Sequence, residues 1–160
     1  MSVLTNLKET AFLRAFAFAK IPLLAWVRPT VVDFTAERCE IRVPLSRRTR
    51  NHLWSMYFGV LCAGADLAGG YVAMRQIQKS GRKVVFVFKD FHAEFLKRAE
   101  GDVHFTCEQG LAMAALVQRA IDEPGTRVEE AVAVVATVPS KLGDEPVARF
   151  ELTISLKLKG

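Results

Sequence analysis

At 160 residues, with 51% apolar and 24% charged side chains, the chain has the composition of one globular domain with a sizeable core rather than a disordered tail. It lacks any apolar run of about 18 residues, which argues against a helical membrane span, and charges recur through the N-terminal region where a secretory leader needs an unbroken apolar stretch. The net charge of +5 is spread among interleaved acids on no recognisable reading motif, so no nucleic-acid partner is expected.

Residues from Thr5 to about Ala19 read as an amphipathic helix. Thr5 or Asn6 caps it, and Leu7, Phe12, Leu13 and Phe16 recur at helical spacing. Pro22 and Pro29 bracket a connector that contains Trp26. Core packing is the expected role of this aromatic-rich start, residues 1–29; a lid over an apolar pocket is the other. Val32 and Phe34 then lead through a turn into Cys39, Ile41 and Val43, which alternate with Arg38, Glu40 and Arg42 as a half-buried strand does. Pro44 ends that strand. A basic loop follows with Arg47, Arg48 and Arg50, which reads either as a solvated loop or as an anion site.

The longest helical candidate covers residues 55–78, about 35 Å if helical throughout, and is apolar nearly all round. Such a helix is enclosed by the rest of the fold. Gly59, Gly64, Gly69 and Gly70 each weaken it by about 1 kcal/mol relative to Ala, which close approach by other backbone would explain. Asp66 is the only formally charged residue among the 24 between Arg50 and Arg75. An unpaired carboxylate buried there costs several kcal/mol or stays protonated. It serves either as a structural acceptor for backbone N–H groups or as a chemical group facing a ligand above a surface of small residues.

Beyond Gly81 the pattern is one of strands. Residues 84–98 switch parity from Phe86 and Phe88 to Phe91 and Phe95, which predicts a β-bulge near Lys89–Asp90. Val103, Phe105 and Cys107 alternate after a turn, and Gln109 to Ile121 form a short helix stopped by Pro124 and Gly125. Residues 127–138 lack clean alternation and are expected at the centre of the sheet. A hairpin loop over 140–146 leads to Phe150, Leu152, Ile154, Leu156 and Leu158, a strand with one buried and one wet face. The architecture is α+β, one domain over residues 1–160, with an antiparallel sheet curled round one apolar helix. Cys39, Cys62 and Cys107 are far apart in the chain and odd in number, as expected of buried thiols in a reducing cytoplasm. His52, His92 and His104 show no ligand spacing with them, so no metal is expected.

This element order resembles the hotdog fold, in which a curved antiparallel sheet wraps a central helix. The segment around Asp66 resembles the acyl-CoA thioesterases of the PaaI-like group and their uncharacterised, DUF4442-like relatives. That group's motif runs Asn-x-x-Gly-x-x-His-Gly-Gly, with an acid seven residues after the last Gly. Here the Asn falls on Asn51, the final Gly on Gly59 and the acid on Asp66 without a gap. Trp54, Tyr57 and Phe58 stand where the motif has Gly, His and Gly. The resemblance spans roughly Thr30 to Gly160, with the N-terminal helix as an addition seen in some members.

The resemblance implies hydrolysis of an acyl thioester carried on coenzyme A or a carrier protein, with no cofactor beyond the coenzyme A of the substrate. It makes Asp66 the general base or nucleophile and the Gly59 N–H an oxyanion donor. Asn51 orients the water or the carbonyl, or simply shapes its loop, and Tyr57 donates to the carbonyl or packs. Arg47, Arg48 and Arg50 are candidates for the phosphates of coenzyme A. It also implies a site between subunits, hence a homodimer or a dimer of dimers. Three readings compete with it. One is a hotdog protein that holds an acyl-CoA or fatty-acyl chain without cleaving it. Another is a hydratase or dehydratase, which needs a His where Tyr57 stands. The last is a partner protein that uses the aromatic N-terminal helix as an interaction arm.

Overall fold

The computed structural model describes residues 3–159. Two helices open the chain, α1 (Val3–Lys20) and the short α2 (Pro22–Trp26), followed by strands β1 (Thr30–Phe34) and β2 (Cys39–Val43). The central helix α3 (Phe58–Ser80) comes next, then β3 (Val84–Phe95) and β4 (Val103–Cys107). Helix α4 (Gly110–Asp122), β5 (Arg127–Thr137), the four-residue α5 (Pro139–Leu142) and β6 (Pro146–Leu158) complete the chain.

The six strands form one antiparallel sheet in the order β1-β2-β4-β5-β6-β3. Strand alternation decides which side chains reach the helix. Cys39, Ile41 and Val43 of β2, Val103 and Phe105 of β4, and Leu152, Ile154 and Leu156 of β6 point inward and are fully buried. The outer face of β1 and β2 carries a polar network, in which Arg38 bridges Asp33, Glu40 and Glu108 and His104 meets Glu40 at 2.7 Å. The predicted bulge is present, as a register shift between Phe88 and Asp90 in the β3–β6 ladder.

Helix α3 lies on the concave side of the sheet, and every residue from Leu67 to Ala73 is buried. It begins at Phe58 rather than Ser55. Ser55 and Met56 instead hold a loop closed, with the Asn51 N–H donating to the Ser55 carbonyl and the Met56 N–H to that of Ala99. It ends at Gly81, whose φ of 67° is the left-handed cap that glycine adopts without strain. The helix glycines answer mainly to side chains, not to backbone as expected. A Cβ on Gly64 would sit 2.2 Å from the Phe105 ring, and one on Gly59 would sit 2.6 Å from that of Tyr57.

Strand β5 is interior, between β4 and β6, as expected. Its burial does alternate, with Val132, Val134 and Ala136 inward, while the outward positions carry small apolar residues such as Ala131 and Ala133 that hide the period. Cys39 and Cys107, distant in sequence, stand opposite each other across the β2–β4 ladder, both buried and both free thiols. Burial pushes both thiols up, away from the reactive thiolate form. The loop expected over 140–146 contains α5 at its start. In α1, Leu13 and Ala17 are buried and Phe12 and Phe16 half-buried, but Leu7 is 66% exposed on the outer face. Core packing therefore accounts for only one side of that helix.

Candidate active site

The site is built on α3, and its sequence-derived parts fall in two places. Asp66 sits in the enclosed middle, on one face with Gly70 one turn further on. Its Oδ1 would lie 3.3 Å from a Cβ on Gly70, and the Phe88 ring 3.1 Å, so the missing side chain leaves the room that the carboxylate and the ring share. Among the described residues, no group hydrogen-bonds or ion-pairs with the Asp66 carboxylate. Burial pushes its carboxyl up to about 6.

Asp66 opens into a cavity of about 380 Å³. Leu13 and Phe16 of α1, Leu24 of α2, Met74 of α3 and Phe86 of β3 give it an apolar wall, and Tyr71 also lines it. The N-terminal helices therefore roof the cavity, the lid alternative of the sequence reading. Glu9 fastens that roof to α3. It accepts a hydrogen bond from the Tyr71 hydroxyl and pairs with Arg75 at 2.8 Å, while Arg75 lies 4.9 Å from the centre of the Phe12 ring. Sequence reading missed this latch, whose signals are a lone acid on the inner face of α1 and a tyrosine in an apolar helix. A larger hollow of about 550 Å³ lies near Phe34 and Lys79. Its carboxylate is the Glu9 of the latch, already paired, so the Asp66 cavity is where an unsatisfied reactive group meets open space.

The remaining candidates cluster at the N-terminal end of α3. The loop before it is held by its own polar groups: Thr49 Oγ1 donates to the Pro44 carbonyl at 2.7 Å, and the Tyr57 N–H to the Thr49 carbonyl at 2.8 Å. Asn51 is spent on the loop, accepting from the Leu53 N–H at 2.8 Å and donating to Ser55 Oγ at 3.1 Å. That is the loop-shaping role. Trp54 takes a φ of 63°, the left-handed region that favours glycine. The backbone thus keeps a conformation suited to the glycine at that motif position, with tryptophan in its place.

Tyr57 caps α3 without a side-chain hydrogen bond, and its ring packs on Phe58 at 4.7 Å and over Gly59. The Gly59 N–H lies at the second position of the helix, where no intrahelical acceptor is in reach, whereas the next amide, of Val60, donates to the Tyr57 carbonyl at 2.9 Å. Arg48 lies 4.6 Å from the Trp26 ring centre and Arg50 3.6 Å from that of Trp54. Neither they nor Arg47 pairs with a carboxylate among the described residues. Asp66 follows Gly59 by seven positions along α3, which places them on one face but about 10 Å apart along the axis. One chain does not bring the carboxylate and the amide to a single carbonyl.

A curved antiparallel sheet around a long central helix, with an N-terminal helix added, defines the hotdog fold, and solved structures bear this out. A proposed thioesterase of Shewanella oneidensis is 16% identical, matches 94% of this chain and 98% of its own length, and superposes with a TM-score of 0.78. A Pseudomonas aeruginosa protein of unknown function, also a proposed thioesterase, is 21% identical over 94% of this chain and 96% of its own, with a TM-score of 0.76. A thioesterase of Haemophilus influenzae is 13% identical over 90% and 88%, with a TM-score of 0.65. The chain belongs to the family described as a domain of unknown function, DUF4442, whose model matches residues 9–156. The match starts within α1, so most of that helix lies inside the family's region. No curated protein sequence matches the chain. Among the described residues, no helix is long and apolar enough to cross a membrane.

Proposed function

We propose that this protein hydrolyses an acyl thioester, with Asp66 as the general base. One observation carries the reading: an unpartnered carboxylate with a carboxyl raised to about 6 stands at an apolar cavity of a size suited to a small ligand. The thioesterase names of the structural neighbours support it. In this mechanism ionised Asp66 takes a proton from a water, and the resulting hydroxide attacks the thioester carbonyl. The oxyanion is held by the unsatisfied amides at a helix N-terminus. The C–S bond then breaks, and the leaving thiolate takes the proton back from Asp66, giving a carboxylic acid and a thiol.

Because Gly59 and Asp66 of one chain stand about two turns apart, we assign the oxyanion donor to a second copy, in a homodimer or a dimer of dimers. The surface beside Gly59 supports this. Phe58 and Phe95 are exposed and meet edge to face at 6.2 Å, and β3 is a long sheet edge with Val85, Val87 and Phe91 exposed. Arg47, Arg48 and Arg50, free of carboxylate partners, suit the phosphates of an acyl-CoA. Light scattering at micromolar concentration is expected to give a dimer or tetramer; a monomer there contradicts the shared site.

A second reading has its own observation. The Tyr57 ring lies over Gly59 where a motif His is absent, which narrows the approach to the amide and favours a protein that holds the acyl group without cleaving it. Thiol release from short, long and aryl acyl-CoAs, compared between wild type and Asp66→Asn, separates the two. Turnover lost in the variant establishes hydrolysis at Asp66. Thermal stabilisation by an acyl-CoA with no thiol release from wild type establishes the binder.

A further inference from the structure

Helix α1 is apolar on both sides. Its inner face supplies Leu13, Phe16 and Ala17 to the cavity roof. Its outer face carries a second stripe, Leu4, Leu7, Ala11, Ala15 and Phe18, at helical spacings of three, four, four and three. All five are exposed, with Leu4 at 70%, Leu7 at 66% and Phe18 at 78%. Exposed Leu23 and Trp26 of α2 continue the apolar surface along the chain.

The charges around this stripe have one sign. Lys8 and Arg14 flank it and Lys20 closes the helix, all three exposed. The one acid of α1, Glu9, is turned inward to Tyr71 and Arg75. Arg14 is fixed by the Pro29 carbonyl and Thr30 Oγ1, which leave its charge unneutralised. At the end of α2, Arg28 is exposed, and Arg48 stacks on Trp26. An apolar stripe with Trp, Leu and Phe bordered only by Lys and Arg has the chemistry of a segment lying in the plane of an anionic bilayer surface. Pairing of α1 with α1 of a second copy would set these cations against one another.

We propose that the outer face of α1 and α2 docks reversibly on an anionic lipid surface, with Leu4, Leu7, Phe18 and Trp26 entering the headgroup region and Lys8 and Arg14 facing the phosphates. The docked arm is the one that roofs the Asp66 cavity, so docking sets the cavity beside the membrane.

Co-sedimentation of the full chain with vesicles tests this. Vesicles of equal parts phosphatidylcholine and phosphatidylserine are expected to retain the protein at about 0.01 M salt and release it at about 1 M, where the Debye length falls from about 30 Å to about 3 Å. Pure phosphatidylcholine is expected to retain little. Leu7→Ser with Phe18→Ser, both on exposed positions, should lower vesicle affinity roughly tenfold or more with an unchanged melting curve. Lys8→Glu with Arg28→Glu, both exposed, should do the same through charge. Failure to bind phosphatidylserine vesicles, or binding that survives both double substitutions, overturns the proposal. So does a change of oligomeric state in Leu7→Ser/Phe18→Ser, which would make the stripe a contact between copies, or an acidic protein that competes with the vesicles through contacts insensitive to Leu7 and Phe18.

Discussion

The two halves of α3 handle the same apolar sequence in opposite ways. From Leu67 to Ala73 the helix is enclosed by the sheet, and by α1 through the Glu9 latch. Its first turn is open: Phe58 is 57% exposed and Tyr57 47%. Burial therefore shifts the Asp66 carboxyl, while the turn that carries Gly59 keeps an exposed aromatic surface. The enclosed half raises a carboxyl; the open half presents unsatisfied amides and an aromatic surface. The comparison teaches that a motif contiguous in sequence can divide between an enclosed carboxylate and an open helix end, about two turns apart.

The sharpest way to break this contrast is at Asp66. If its carboxylate is the base, Asp66→Asn lowers the rate of thiol release about 100- to 10,000-fold, read with a thiol reagent. The same substitution has the opposite sign for stability. The folded state raises the carboxyl from 3.8 to about 6, so the folded chain binds the extra proton between those values. The contribution of Asp66 to stability is full below about pH 4 and lost as pH rises through about 6. Asp66→Asn is then expected to melt higher than wild type at pH 7.5, by an amount worth about 2–3 kcal/mol, and the gap should close by pH 4. A variant no more stable at pH 7.5 would mean that the carboxylate is well solvated.

Two glycines of the enclosed half sharpen the comparison further. Gly64→Ala drives a Cβ into the buried Phe105 ring and should destabilise by about 1–3 kcal/mol despite alanine's better helix propensity. At Gly69 a Cβ meets nothing closer than 3.4 Å, so Gly69→Ala should gain up to about 1 kcal/mol. Urea midpoints that move in the same direction for both would contradict the packing described. The smallest effect is expected in the open half. Trp54→Gly relieves the left-handed φ but loses the stack with Arg50, so its change in stability should stay within about 1 kcal/mol of zero.

Much of the fold was legible because one-sided burial writes a period of two into β2, β4 and β6, and because the parity switch at Lys89–Asp90 marks the bulge. Where both faces of an element are apolar, periodicity loses its power to choose. Leu7 joins Phe12, Leu13 and Phe16 in the sequence pattern, yet faces solvent, because α1 carries two apolar stripes. Ala131 and Ala133 hide the alternation of β5 in the same way. The isolation of Asp66 was legible from composition alone. Its surroundings were not: the cavity roof comes from α1 and α2, some 50 residues away in the chain, and the Glu9–Tyr71–Arg75 latch depends on that packing. Cys39 opposite Cys107 and Trp26 under Arg48 are likewise products of the tertiary fold. Asn51 was legible as a motif residue, but only the loop geometry shows its amide engaged by Leu53 and Ser55.

The most direct test is the pH dependence of thiol release by the wild-type protein on whichever acyl-CoA it turns over. A single ionisation near 6 that switches activity on as pH rises is the result expected of Asp66 acting as a base from the enclosed half of α3. A rate that is flat through that range, or that falls as the carboxyl ionises, would contradict the account.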